Sequence, residues 1–237
     1  MSAEPGASRE SVDLRREAAR ALGLLAVLVL ACTAVFGPPW AKRGLWWGGV
    51  RTHAEFQRLN DASAGYLQRA GVAEEVRLAV DGADELVITT LYRAPGTGRT
   101  GLQQVEAGFR PPGLEIVDAR NRPIPWKARR SYLGEMWVLT LPADLEDRMV
   151  RERFLAGKGQ MSQRRGRDWV YTTRHLHGDA MDHAYTVILP AGATLLGASP
   201  TPTSSGQREG CRALTWSGRL EYMAYFDCRV TYRLPAR

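Results

Sequence analysis

The stretch Tyr222-Met-Ala-Tyr-Phe-Asp-Cys-Arg-Val-Thr-Tyr-Arg-Leu234 decides the fold. Tyr222, Ala224, Phe226, Cys228, Val230, Tyr232 and Leu234 alternate with Asp227, Arg229, Thr231 and Arg233. A strand turns successive side chains to opposite faces, so this segment buries one face and wets the other. The same period-two pattern begins at Val76, Leu78 and Val80. It returns in Leu86–Tyr92, Leu114–Asp118, Glu135–Leu141, Trp169–His177, Ala184–Leu189, Thr194–Ala198 and Cys211–Trp216. Nine short segments punctuated by Pro and Gly predict a mainly β chain: one antiparallel β-sandwich, immunoglobulin-like or related, over residues 75–237. A domain of this length buries a core without external help.

Two helices are expected beside the strands. Thr52-His53-Ala54-Glu55 reads as a capping box, with Phe56, Leu59, Tyr66 and Leu67 at helical spacing behind it and Gly71 as a left-handed stop. This predicts an amphipathic helix over 52–70 within a juxtamembrane segment 41–74. A helical insertion near 143–156 follows from Leu145, Met149, Val150 and Phe154, with a stop at Gly157.

Upstream lies the apolar run Ala21–Phe36, which as a helix spans about 24 Å at ~1.5 Å per residue. Arg20 on one flank, and Trp40, Trp46 and Trp47 on the other, suit the interfaces of a bilayer. The run predicts a single-pass transmembrane anchor over 21–40, after a polar and flexible tail over 1–20. A cleaved signal peptide and a lipoprotein, through the lipobox-like Val29-Leu30-Ala31-Cys32, are the competing readings. Basic residues number four before the run (Arg9, Arg15, Arg16, Arg20) and three after it (Lys42, Arg43, Arg51), too even to fix orientation. Cys211 and Cys228 supply the deciding argument: they flank a turn near Ser217-Gly218-Arg219 and read as a disulfide, which requires an oxidising compartment. The expectation is therefore a bacterial cytoplasmic (inner) membrane, N-terminus inside and the C-terminal domain periplasmic or extracellular.

A net charge of +7 does not point to nucleic acid, because 29 of the 32 basic residues are Arg, a skew of coding bias, and the domain lies outside the membrane. The basic loop Gly157–Asp168 carries Lys158, Arg164, Arg165 and Arg167. It reads as a solvated loop, with a patch for anionic headgroups or an acidic partner as the functional alternative.

Two short stretches resemble known motifs. Arg93–Thr100 resembles a phosphate-binding loop but has Arg93 for its first glycine, Arg99 for its lysine, and no helix after it; it is expected to be a hairpin loop. His175-Leu176-His177-Gly178-Asp179 resembles the metal motif of the metallo-β-lactamase fold at three positions. Ala180 replaces the next histidine and none occurs after His183, so that family is excluded. A smaller metal site remains open, since His175 and His177 share a strand face. With a four-residue turn over Gly178–Met181, His183 faces away; if Asp182 joins the turn, three imidazoles meet. Candidate metal ligands are thus His175, His177, Asp179 and His183.

No cofactor is expected. No catalytic set is complete: there is no Gly-x-Ser-x-Gly elbow, and Asp144 and Asp147 read as solvated carboxylates. Trp126, Trp137, Trp169 and Trp216 read as core residues. The leading expectation is a single-pass, non-enzymatic interaction or accessory subunit of a larger membrane complex, with other membrane-protein subunits and the bilayer as partners. A metal-binding or metal-dependent hydrolase domain at the His175/His177 cluster, and a cell-wall or carbohydrate-binding module, are the alternatives.

Overall fold

The computed structural model describes residues 47–131 and 134–235. The apolar run 21–36 and its flanking Arg20, Trp40 and Trp46 lie outside the described residues. Among those described, no helix is long and apolar enough to cross a membrane. The chain divides into two units, Met1–Arg58 and Leu59–Arg237.

The helix α1 spans Trp47–Ala62 and ends where Ser63 donates its amide and hydroxyl to Asn60 O. Fifteen strands follow: β1 Gly65–Tyr66, β2 Gln68–Arg77, β3 Glu85–Arg93, β4 Thr100–Val105, β5 Glu115–Asp118, β6 Trp126–Ser131, β7 Gly134–Thr140 and β8 Met149–Lys158. After them come β9 Ser162–Arg165, β10 Asp168–His177, β11 Met181–Ile188, β12 Thr194–Ser199, β13 Ser204–Arg208, β14 Cys211–Leu220 and β15 Ala224–Arg233. Eight of the nine expected strands are present; the first, expected along Val76, Leu78 and Val80, is displaced to β2, which ends at Arg77 and leaves Leu78 and Val80 outside it.

The protein is mainly β and sandwich-like, but built from three sheets. A seven-stranded sheet runs β13-β14-β11-β2-β3-β8-β5, and two four-stranded sheets run β12-β15-β10-β9 and β1-β4-β7-β6. Pairing is not purely antiparallel: β11 lies parallel to β2, and β1 parallel to β4. Register places Val72, Glu74 and Val76 of β2 on one face with Thr90, Ile88 and Leu86 of β3, and these with Glu152 and Phe154 of β8. Both small sheets pack on this face. Around the β2-β11-β14 half, Val76, Tyr185, Val187, Leu214 and Trp216 meet Tyr171, Phe226, Val230 and Tyr232 from β10 and β15. Around the other half, Tyr92, Ile116 and Val150 meet Trp137 and Leu139 of β7.

Several expectations are corrected. The helix expected over 52–70 is displaced to 47–62. Thr52 therefore falls inside it, while Gly65 at φ 120° breaks the helix and Tyr66 and Leu67 join the β region. Gly71 does not stop a helix; it sits in β2 opposite Leu91 and Asp182. The insertion near 143–156 is a three-residue 3-10 turn, Glu146–Arg148, followed by β8 inside the large sheet. Its apolar residues fit a helix, but Val150, Glu152 and Phe154 alternate, and sheet pairing on both sides decides for the strand. The Arg93–Thr100 segment is a crossover between sheets, not a hairpin loop, since β3 and β4 belong to different sheets.

The expected disulfide is absent: Cys211 and Cys228 are free thiols. They flank the β14–β15 turn unevenly. Cys211 opens β14 beside Arg208, far from the turn, whereas Cys228 lies midway along β15 opposite Thr173, in another sheet. As free thiols, Cys211 and Cys228 do not point to an oxidising compartment.

Candidate metal centre

The histidine-rich segment 175–183 joins β10 to β11, two strands that do not pair with each other. Neither turn considered from sequence applies. The imidazoles instead meet across the interface between two sheets. His175 and His177 project from β10 of the four-stranded sheet, as i and i+2 must. His183 projects from β11 of the large sheet, on the same face as Glu74 of the adjacent β2: His183 is level with Val72, and Tyr185 with Glu74.

Glu74 is the pivot. It is 3% exposed, between Val72 and Val76 on the inward face of β2, where an ionised carboxylate requires compensation. Its Oε1 lies 3.4 Å from His183 Nε2 and 3.6 Å from His177 Nε2, and its Oε2 lies 3.4 Å from His175 Nδ1. Donor atoms of Glu74, His177 and His183 all fall within 4.8 Å of one another, and all three residues are buried. These separations are long for hydrogen bonds. They match a shared ion better: donors at ~2.0–2.1 Å from a tetrahedral zinc lie roughly 3.3–3.4 Å apart. Glu74 Oε2 and His177 Nε2 are buried with no hydrogen-bond partner among the described residues. Burial, then the neighbouring His183, pushes the His177 imidazole below its usual pKa, toward the neutral form that a metal requires.

The centre opens on a cavity of about 390 Å³ between the two small sheets. Glu74 and His177 line it together with Arg69, Ile88, Tyr92, Gln103, Phe109, Glu152 and Phe154. Glu152, also 3% exposed, accepts a hydrogen bond from Gln103 Nε2, and burial raises its carboxyl above the ordinary range. Gln103 Nε2 lies 3.0 Å from Tyr92 Oη, whose pKa burial and the Glu152 charge push up to about 12.

Of the four ligands expected from sequence, the structure brings His175, His177 and His183 together around Glu74. It leaves out Asp179, an exposed residue paired with Arg69 at 3.4 Å. Glu74 escaped sequence reading, although a signal exists: in Val72-Ala-Glu74-Glu-Val76 the period-two apolar face contains a carboxylate. The basic loop is split. Lys158 pairs with Glu85 at 3.3 Å, while Arg164, Arg165 and Arg167 are exposed on β9 and the turn after it. Trp137 and Trp216 are buried and Trp126 stacks on Trp137. Asp144 is exposed, as expected, and accepts from both terminal nitrogens of Arg122 at the surface. Trp47 opens α1.

No protein-family model and no curated protein matches the chain. Among solved structures, it is similar to an M1 zinc metallopeptidase from Deinococcus radiodurans at 13% identity and TM-score 0.38, covering 70% of this chain and 42% of that one. It is also similar to the folded domain of LppM from Mycobacterium tuberculosis, at 15% identity and TM-score 0.29, covering 71% and 93%. Leukotriene A4 hydrolase from Saccharomyces cerevisiae follows at 6% identity and TM-score 0.32, covering 70% and 29%. The chain thus spans less than half the length of either hydrolase. At these scores the likenesses carry no functional argument.

Proposed function

We propose that the chain is a membrane-tethered, non-enzymatic accessory module that binds one divalent transition-metal ion, zinc first, through Glu74, His177 and His183. The observation that carries the metal is the pair of buried, unpartnered ligand atoms, Glu74 Oε2 and His177 Nε2, facing one another's residues across the sheet interface. One carboxylate and neutral imidazoles form an N/O donor set that suits zinc, with copper and nickel as competitors. His175, whose Nδ1 lies 3.4 Å from the second Glu74 oxygen, orients the carboxylate electrostatically or enters as a fourth donor. Without a metal, folding leaves a buried carboxylate short of hydrogen bonds, a cost of roughly 1–3 kcal/mol or more. A bound ion removes that cost and clamps the two sheets together.

The tether rests on the apolar run Ala21–Phe36 and its flanks. On this reading the tail stays in the bacterial cytoplasm, the mainly β, sandwich-like part works on the other side, and membrane-protein subunits are its partners. The cysteines no longer speak to that orientation.

Elemental analysis of the full chain in mild detergent, after exposure to zinc and dialysis, tests the metal. One equivalent is expected for the wild type and for Asp179→Ala, and substoichiometric zinc for His177→Ala and Glu74→Ala, with folding followed by circular dichroism. Zinc that is substoichiometric in the wild type, or unchanged by His177→Ala, would end the proposal. The accessory role is tested separately by gentle cross-linking in cells, where a protein that remains alone contradicts it.

A further inference from the structure

A second depression, of about 680 Å³, lies apart from the metal centre at the β9 edge of the small sheet β12-β15-β10-β9. Arg164, Arg167 and Arg233 line it beside Val80, Trp169 and Leu234. Its origin is local. Trp169 of β10 stands level with Arg164 of the edge strand β9 and with Tyr232 of β15, so an indole and a guanidinium share one face. Arg233 is fixed by Asp168 at 2.7 Å, and Arg164 Nε donates to Gly166 O at 3.0 Å. Among the described residues, no carboxylate lies within ion-pair distance of Arg164 or Arg167, whereas most basic side chains of the large sheet's outer surface, such as Arg77 and Arg208, are paired. Two guanidiniums, Arg164 and Arg167, therefore stand at one cavity without a counter-charge, and Arg233 beside them is already paired with Asp168.

Like charges gathered without counter-charges repel one another, and they favour an anion that bridges them. Guanidinium forks match phosphate oxygens in plane and spacing. The remaining wall is apolar, with Val80 39% exposed and the indole and Leu234 partly so. A free inorganic anion would leave that wall wet. We propose that this depression binds the phosphodiester headgroup of an anionic phospholipid, its phosphate on Arg164 and Arg167 and its glycerol against Trp169. A zwitterionic headgroup fits less well, because its quaternary ammonium meets the same arginines. The site is independent of the metal, and neither proposal requires the other.

The experiment is calorimetric titration of the full chain in neutral detergent with glycerophosphoglycerol, glycerophosphocholine and inorganic phosphate. Binding of glycerophosphoglycerol is expected, at least about tenfold tighter than glycerophosphocholine. Arg164→Ala/Arg167→Ala should weaken it at least about tenfold, the loss of one charge-assisted hydrogen bond. Trp169→Phe keeps the apolar wall and should weaken it less. His177→Ala should leave it unchanged, so failure here and failure of the metal proposal are read apart. Absence of binding, equal binding of the two headgroups, equal binding of inorganic phosphate, or a double variant that binds like the wild type would overturn the proposal. The arginines are exposed, so the double variant keeps the core intact.

Discussion

At the scale of single residues, the molecule places polar groups where apolar ones would pack, and each such group needs a partner. Tyr171 and Tyr185 solve this mutually: their hydroxyls hydrogen-bond across the two sheets, at 4% and 0% exposure. Burial raises both phenols, so neither ionises in the physiological range. Tyr171→Phe leaves the Tyr185 hydroxyl without that partner and should destabilise by about 1–3 kcal/mol in urea unfolding. The double change to Phe removes both halves and should cost less than the sum of the single changes.

Cys228 is governed by the same physics. Burial, then the Asp227 charge, pushes its thiol up to about 12 from the ordinary 9.0. A folded pKa above the unfolded one means that its contribution is intact below about pH 9 and falls as pH rises toward 12. Because the thiolate is the reactive form, Cys211 should alkylate at pH 8 while Cys228 reacts only on unfolding. Equal labelling of both in the folded protein would contradict the burial of Cys228, and a mass two units low from a disulfide would contradict the free thiols.

At the scale of elements, the structure turns on which strands have neighbours on both sides. β11 lies between β14 and β2, and β2 between β11 and β3, whereas β13 is an edge whose five residues are all exposed. Amide exchange should therefore be slowest in β11 and β2 and fastest in β13 and β9. Comparable protection in β13 and β11 would mean that the sheet order is wrong. The same elements show why the sequence was only partly legible. Strands such as β15, which alternate cleanly, could be read. β8 could not, because Leu145, Met149, Val150 and Phe154 imitate helical spacing while Glu152 hides the alternation. Glu74 masks β2 in the same way. Both acids face inward, onto one cavity, so the positions that defeat pattern reading are those the candidate site uses. The histidines were legible as a group, but their meeting was not. It depends on β10 and β11 entering different sheets, which no local spacing encodes.

At the scale of the whole described fold, two small sheets share one face of a large one, and the seam between them is a polar cavity with the Glu74 cluster at its side. A metal there links β2 and β11 to β10, and so adds a third tie between two sheets that otherwise meet through core packing and the Tyr171–Tyr185 hydrogen bond. Ligation free energy becomes stability by mass action, about 2.7 kcal/mol at a hundredfold excess over Kd. Zinc should therefore raise the melting temperature of the wild type and not of Glu74→Ala. Zinc K-edge X-ray absorption on the full chain, loaded with one equivalent, tests the central claim most directly. The account predicts nitrogen and oxygen scatterers at ~2.0–2.1 Å with the outer-shell signature of at least two imidazoles. A sulfur scatterer at ~2.3 Å, placing the ion on a cysteine, or a spectrum without imidazole, would contradict it.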